Sequence, residues 1–312
     1  MDGSYTDRRH PDSVHFTRRI EEDLSRRDFT VNAIAFDPRV GLVDPFFGRE
    51  DLENKILRAV GDPALRFEED ALRIMRAFRF SATLNFEIER ETLMAARDKK
   101  EGLRMVARER IATELLKLLC APDPRKALRS MVDAGVLQVV TDGYAPSEET
   151  VELMSKMPPM DIARLGAFLL SCDEARAREI LDSLRLSSKQ KTGAMAVFRG
   201  ASERVCGAAE ARRFSARYGA YAPYAIEAAY LSGMCDRSTL EAVRNNTSPC
   251  RIKDLDISGE DLLSMGIRGK AVGDALEMLL EAVLTDPSLN KKDRLLELIR
   301  NKKTREGQNE RA

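Results

Sequence analysis

Residues 67–80 read Phe67-Glu68-Glu69-Asp70-Ala71-Leu72-Arg73-Ile74-Met75-Arg76-Ala77-Phe78-Arg79-Phe80. Across 68–84 the apolar residues Leu72, Met75, Ala77, Phe78 and Phe80 recur at helical rather than alternating spacing, which predicts one amphipathic helix. On that helix Asp70, Arg73 and Arg76 stand at successive i, i+3 positions and share a broad face, with Arg79 drifting to its side. Two readings of this row stay open. It is either an ion-paired helix surface or an anion-binding face, because no acid follows Asp70 to partner the three arginines.

On the C-terminal side helical periodicity continues. The stretch 110–119 is amphipathic and stopped by Ala121-Pro122 and Asp123-Pro124, and 126–140 follows with Gly135 as a break. From about 148 to 250, helices are separated by Pro158-Pro159, Ser187-Ser188 and Gly219. Near Ile257, Ser258-Gly259 precedes a helix over 260–265, and Gly266, Gly269 and Gly273 punctuate the turn into a helix over 274–284. Ser288-Leu289-Asn290 then precedes a last helix reaching about residue 300. On the N-terminal side the character differs. Short apolar pieces (Val14-His15-Phe16, Thr30 to Phe36, Gly41-Leu42-Val43) lie between turn residues, as strands and a connecting helix of a small α/β unit would. No strand-forming run precedes them, so the unit is expected to lack its beginning and to leave sheet edges unpaired. The fold class is therefore mainly α: a short α/β remnant followed by an elongated all-helical part.

Bulk composition narrows the function classes. A hydrophobic share of 43% supplies a real core, and 51 basic residues balance 51 acidic ones. The balance is uneven along the chain. Residues 97–129 hold ten Lys/Arg against five Asp/Glu, and 291–312 hold eight against four, so each is either a phosphate-facing surface or a solvated helix face. Five cysteines without CxxC spacing argue for a reducing compartment and against disulfides or zinc. With only His10 and His15, a histidine-rich metal centre is excluded. No apolar run approaches a membrane span, and a soluble, cytoplasmic protein is expected.

A second informative stretch is Asp23-Leu24-Ser25-Arg26-Arg27-Asp28-Phe29-Thr30-Val31-Asn32-Ala33. Paired arginines, a carboxylate, Thr and Asn concentrate polar groups where strand ends could meet a phosphorylated ligand, and forked guanidinium donors suit triphosphates. Taken alone, the tripeptide reads equally as a surface salt-bridge set.

Together, "DLSRRDFTVNA", "DPFFGREDLENKILRAVGDP", "FEEDALRIMRAFRF" and "ARERIATELLKLL" resemble, in order and spacing, the bacterial class II tRNA nucleotidyltransferases (CCA-adding type) and the related poly(A) polymerases. "DGSYTDRRHPDSVHF" is similar to the stretch before the first block, and residues 257–300 resemble the tail domain of the CCA-adding branch. The resemblance implies a polymerase-β-like nucleotidyltransferase head, of which 1–60 would be a remnant. It further implies a neck at 61–125 for base recognition and RNA binding, a helical body at 126–255, and a tRNA-binding tail at 256–312. It assigns Arg27 to the phosphates of the incoming nucleotide, with Asp28 and Asn32 shaping that pocket. Asp70 and Arg73 would read the base, and Arg76 and Arg79 would complete the nucleotide site. The base-reading pair is chemically apt. Cytosine and adenine both present an amino donor beside a ring-nitrogen acceptor, which a carboxylate and a guanidinium complement; uracil and guanine reverse the pattern.

The resemblance also implies Mg²⁺, held by a GG…RD loop and an Asp-x-Asp pair. Neither motif occurs in the first 60 residues, so no catalytic or metal-ligating residue is expected in the chain itself. Asp7 is at best an auxiliary carboxylate, or simply a surface aspartate. The ligands are expected in a preceding segment, lost by truncation or frameshift or supplied by a separate chain, and no transfer is expected without it. The expected partners are CTP, ATP and the tRNA acceptor arm, with no membrane. Three functions compete: C and A addition to tRNA 3′ ends (or A-only addition), an inactive tRNA-binding remnant, and a helical scaffold without RNA. Salt-sensitive tRNA binding separates the last from the others.

Overall fold

A computed structural model describes residues 19–309, with side chains through residue 301, and divides into two compact units at Met195/Ala196. The readings placed on Asp7, His10 and Val14-His15-Phe16 lie outside the described residues.

In the first unit, α1 (Ile20–Ser25) leads into a 3₁₀ turn at Thr30–Asn32, so the strand expected from Thr30 begins only at β1 (Ala35–Asp37). β1 pairs antiparallel with β2 (Gly41–Val43), joining Ala35 to Val43 and Asp37 to Gly41. The Asp37 side chain accepts the Arg39 N–H at 2.7 Å, and Gly41 takes φ +88°, which a side chain would resist. After α2 (Gly48–Asn54), β3 (Ile56–Leu57) pairs in parallel with β4 (Glu87–Ile88), between which lie α3 (Pro63–Glu69) and α4 (Leu72–Leu84).

The single helix expected over 68–84 is thus two. Asp70 is extended (φ −147°, ψ 101°), and its carboxylate accepts the Leu72 N–H at 3.0 Å. A short side-chain acceptor competing for a free backbone N–H ends one helix and opens the next. Asp70, Arg73 and Arg76 therefore do not share one helical face.

The remaining helices of this unit are α5 (Arg90–Lys99), α6 (Arg108–Leu119), α7 (Arg125–Asp133), α8 (Val136–Val140), α9 (Glu148–Lys156), α10 (Asp161–Phe168), α11 (Glu174–Ser183) and α12 (Ser188–Gly200), which crosses the boundary. Gly135, at φ +71°, is the break expected between α7 and α8. α4 packs on α6 and α7, burying Ile74, Met75 and Phe78 among Ile111, Leu115, Leu118, Leu128 and Met131. Each such side chain contributes about 1.5–3 kcal/mol. Arg164 of α10 is 3% exposed and donates only to carbonyls: Leu119 O (2.6 Å) and Ala121 O (2.5 Å) after α6, and Ser155 O and Met157 O (both 3.2 Å) at the end of α9.

The second unit holds α13 (Gly207–Tyr218), α14 (Ala222–Leu231) and α15 (Arg237–Arg244) around Phe214, Ile226, Leu240 and Val243. A further core of Leu262, Leu279, Val283, Leu295 and Ile299 joins α16 (Gly259–Ser264), α17 (Lys270–Thr285) and α18 (Lys292–Asn309). Ser258 and Asp261 cap α16 reciprocally. Gly273 lies inside α17, not in the turn before it, and α18 runs past residue 300. Among the described residues no helix is long and apolar enough to cross a membrane.

Two groups in this unit make its stability pH-dependent. Burial, then the hydrogen bond to Glu203, pushes the Tyr218 hydroxyl up to about 12 from an ordinary 10, and burial pushes the Cys235 thiol up to about 11 from 9. Both folded-state values are raised, so the protonated forms stabilise the fold fully below pH 9 to 10, and this contribution is lost as pH rises through 11 to 12. Thermal melts from pH 8 to 12 are expected to show a fall in the second unit that Tyr218→Phe makes shallower at its upper end. Superimposable profiles would refute this.

A candidate nucleotide site

α1 ends at Ser25, and the next two residues turn their guanidinium groups onto one carboxylate. Arg26 Nη2 donates to Asp23 Oδ1 at 2.8 Å and Arg27 Nη2 to Asp23 Oδ2 at 3.1 Å. Arg26 first, then Arg27, holds the Asp23 carboxyl below its usual range. The Arg27 side chain remains half exposed at 52%. Asp28 turns inward and is buried. Its Oδ1 accepts the Phe29 N–H (3.0 Å) and Asn32 Nδ2 (3.1 Å), while Oδ2 accepts Arg76 Nε (2.7 Å) from α4. Phe29 is fully buried beside Leu57 and Ala77 and meets Phe80 edge-on at 5.8 Å, so the core fixes the course of this loop.

α3 and α4 grip the same loop from the other side. Arg66 Nη1 donates to Ser25 O at 3.1 Å, and Arg73 Nη2 donates to Arg26 O at 3.0 Å. Glu69 bridges the two arginines, its Oε1 2.5 Å from Arg66 and its Oε2 2.9 Å from Arg73. Each arginine of the row expected to lack acids thus has one beside it: Glu69 at Arg73, Asp28 at Arg76, and Glu114 at Arg79, the last 2.6 Å away but without hydrogen-bond geometry. Only Glu69 is local in sequence; the other two acids arrive through tertiary packing. Arg79 also lies 3.7 Å from the Phe80 ring centre, and Arg76 stands 5.3 Å from it.

Asp70 faces elsewhere. Its Oδ2 accepts Arg110 Nη2 at 3.2 Å, and it lines an open cleft of about 1190 Å³ with Glu69, Arg104, Arg108 and Arg185. Arg27, Asp28, Asn32, Arg73, Arg76 and Arg79 are not among the cleft's walls. The structure therefore unites Asp28, Asn32 and Arg76, sets Arg73 and Arg27 on the same loop, and leaves Asp70 one residue beyond Glu69 on the cleft side.

A further network went unrecognised in the sequence. Buried Asp51 accepts Thr30 Oγ1 at 2.6 Å and Arg58 Nε at 3.1 Å, while Arg58 also pairs with Glu89, which accepts Thr92 Oγ1 at 2.7 Å. The Asp51 hydrogen bond is the main reason the Arg58 pKa is raised. Apart from the local Glu89–Thr92 contact, these partners are 7 to 31 residues apart, so no local spacing announces them. Among the described residues no group of three or more His, Cys, Asp or Glu could hold a metal.

Comparison with known proteins places these elements in context. Residues 1–58 match the poly A polymerase head domain, and residues 85–148 match the probable RNA and SrmB-binding site of polymerase A. A CCA-adding enzyme of Streptococcus gordonii is 54% identical over 154 residues, 48% of this chain and 39% of that one. The chain thus spans well under half the length of that relative. One from Levilactobacillus brevis is 33% identical over 317 aligned positions, covering 96% of this chain and 77% of its own length. Among solved structures, the Bacillus stearothermophilus CCA-adding enzyme in complex with CTP superposes with a TM-score of 0.76 at 28% identity, over 94% of this chain and 77% of that one. The Thermotoga maritima CCA-adding enzyme complexed with tRNA gives 0.62 at 25% identity, over 90% and 74%.

Proposed function

The chain belongs to the CCA-adding enzyme family, and from that premise we propose that it binds CTP and ATP for addition of C and A nucleotides to the 3′ end of tRNA. The observation that supports this is the meeting of Asp28 and Arg76 across 48 residues, which unites the two arginine-bearing segments in one polar cluster. Arg27, half exposed beside it, is the triphosphate ligand. Asp28 and Asn32 shape the pocket, and Arg76, with Arg79 on the Phe80 ring, closes it.

Asp70, from the cleft side, and Arg73, from the loop side, read the base by exchanging their present partners and turning toward one another. The acceptor Asp70 releases Arg110 for an exocyclic amino group, and Arg73 releases Glu69 for a ring nitrogen. The Asp70–Arg110 pair is 36% and 42% exposed, whereas Arg73 is 18% exposed against 44% for Glu69. A pair as open as Asp70–Arg110 is worth about 0–1 kcal/mol, so a base can displace it, while Arg73 keeps its bond to Arg26 O and trades only its contact with the exposed Glu69 carboxylate. The basic stretch 97–129 is assigned to the tRNA acceptor arm, where phosphate contacts make binding salt-dependent. The described carboxylates do not fit the magnesium ions this chemistry implies: Asp23, Asp28 and Asp51 are each turned onto arginines.

Calorimetric titration tests the assignment. Arg27→Ala is expected to weaken CTP, ATP and UTP alike, by about tenfold or more for a lost charge-assisted contact. Arg73→Ala should instead erode the preference for CTP and ATP over UTP. Equal binding of all bases by the unaltered chain, or a reversed pattern in the variants, refutes the reading.

A further inference from the structure

The guanidinium of Arg66 is directed at the backbone just before the nucleotide cluster. Its side chain is 18% exposed, and it donates to Ser25 O (3.1 Å) and Glu69 Oε1 (2.5 Å). Its Nε is buried without a partner. A buried, unsatisfied donor carries a stability cost, so an arginine here is a poor choice for stability alone. What it secures is placement. Ser25 and Arg26 carry the carbonyls left free where α1 ends, and they directly precede Arg27 and Asp28. Arg66 holds the first carbonyl, Arg73 the second, and Glu69 accepts from both guanidinium groups. Arg26 and Arg27 share Asp23, so a shift at Ser25 moves the whole arginine pair.

We propose that Arg66 is a positioning residue for triphosphate binding: by holding Ser25 O it sets where Arg27 presents its guanidinium to the phosphates. It touches neither base nor phosphate. The inference rests on the nucleotide-site reading above, in which Arg27 is the phosphate ligand. It predicts a selective defect, in which the advantage of a triphosphate over a monophosphate shrinks while discrimination between bases persists.

The test is calorimetric titration of the full chain with CTP, CMP and UTP, in the unaltered protein and in Arg27→Ala, Arg66→Met and Arg66→Lys. The ratio of CMP to CTP dissociation constants is expected to fall about tenfold in Arg27→Ala and several-fold in Arg66→Met, with the CTP-over-UTP preference kept. Arg66→Lys, which keeps the charge and a donor for Ser25 O, should recover part of the ratio. A merely structural residue would weaken CTP and CMP together and leave the ratio alone. If Arg27→Ala loses the ratio and Arg66→Met retains it, the positioning role is overturned and the site reading stands. If the unaltered chain shows no preference for CTP over CMP, or Arg27→Ala keeps it, the site reading fails and this inference with it. Should Arg66→Met not fold, Arg66→Gln, too short to span to Ser25 O, takes its place with the same expectations.

Discussion

Gly48→Ala is expected to destabilise the first unit by about 3 kcal/mol and to weaken nucleotide binding together with it. A Cβ on Gly48 would stand 2.2 Å from Thr30 O, 2.8 Å from Thr30 C and 2.9 Å from Ile34 Cγ1. Two of these atoms are backbone, and neither chain is free to retreat. Gly48 N–H is held by Asp44 Oδ1 at 2.7 Å, while Thr30 donates its N–H to Arg58 O at 3.0 Å and its hydroxyl to Asp51. Either α2 moves off the Thr30–Asn32 turn or the turn itself shifts. The second outcome carries Asn32 away from Asp28, which it meets at 3.1 Å, and opens the cluster that Arg76 completes. Urea denaturation followed by circular dichroism, paired with CTP titration, reads both effects. A Gly48→Ala protein with unaltered midpoint and CTP affinity would show that the close approach is not needed.

Arg164→Met is expected to cost about 3–5 kcal/mol and to leave nucleotide selectivity untouched. Among the described residues no carboxylate forms an ion pair with this buried cation, although Asp123 attracts it from a distance. Four carbonyls bind it, at the ends of α6 and α9, where helix dipoles present partial negative charge. Burial pushes its pKa down, yet an arginine stays protonated at any pH the fold survives. Methionine fills similar volume and relieves the desolvation cost, but it strands four acceptors. Each lost partner costs about 1–3 kcal/mol before water recovers part of it. Denaturant midpoints for the first unit give the measure. A variant of equal or greater stability would mean that desolvating the charge outweighs its hydrogen bonds, and that the two helix ends are satisfied by other means.

The expectations that failed did so for a common reason. Apolar spacing over 68–84 is helical throughout, but spacing does not register a capping carboxylate within the run, and Asp70 breaks the helix by taking the Leu72 N–H. In the sequence no acid follows Asp70 beside the arginine row, because two of its partners are distant along the chain. Asp28 and Glu114 approach from 48 and 35 residues away, and the one local acid, Glu69, precedes Asp70 on the other helix. Gly273, an apparent turn signal, sits within α17 because the apolar face of that helix, with Ala275, Leu279 and Val283, outweighs one poor helix former.

Sequence alone determined that helices dominate, that Gly135 and Ser258-Gly259 punctuate them, and that two arginine-bearing segments stand out as polar. These are properties of side-chain period and of hydrogen bonds closed within a few residues. Tertiary structure alone decided that Arg76 reaches Asp28, that Arg66 and Arg73 clasp the carbonyls before Arg27, and that Asp70 turns toward the cleft. Long side chains choose partners by what packing brings within about 3 Å, and that proximity is set by the buried faces of α3, α4 and α6.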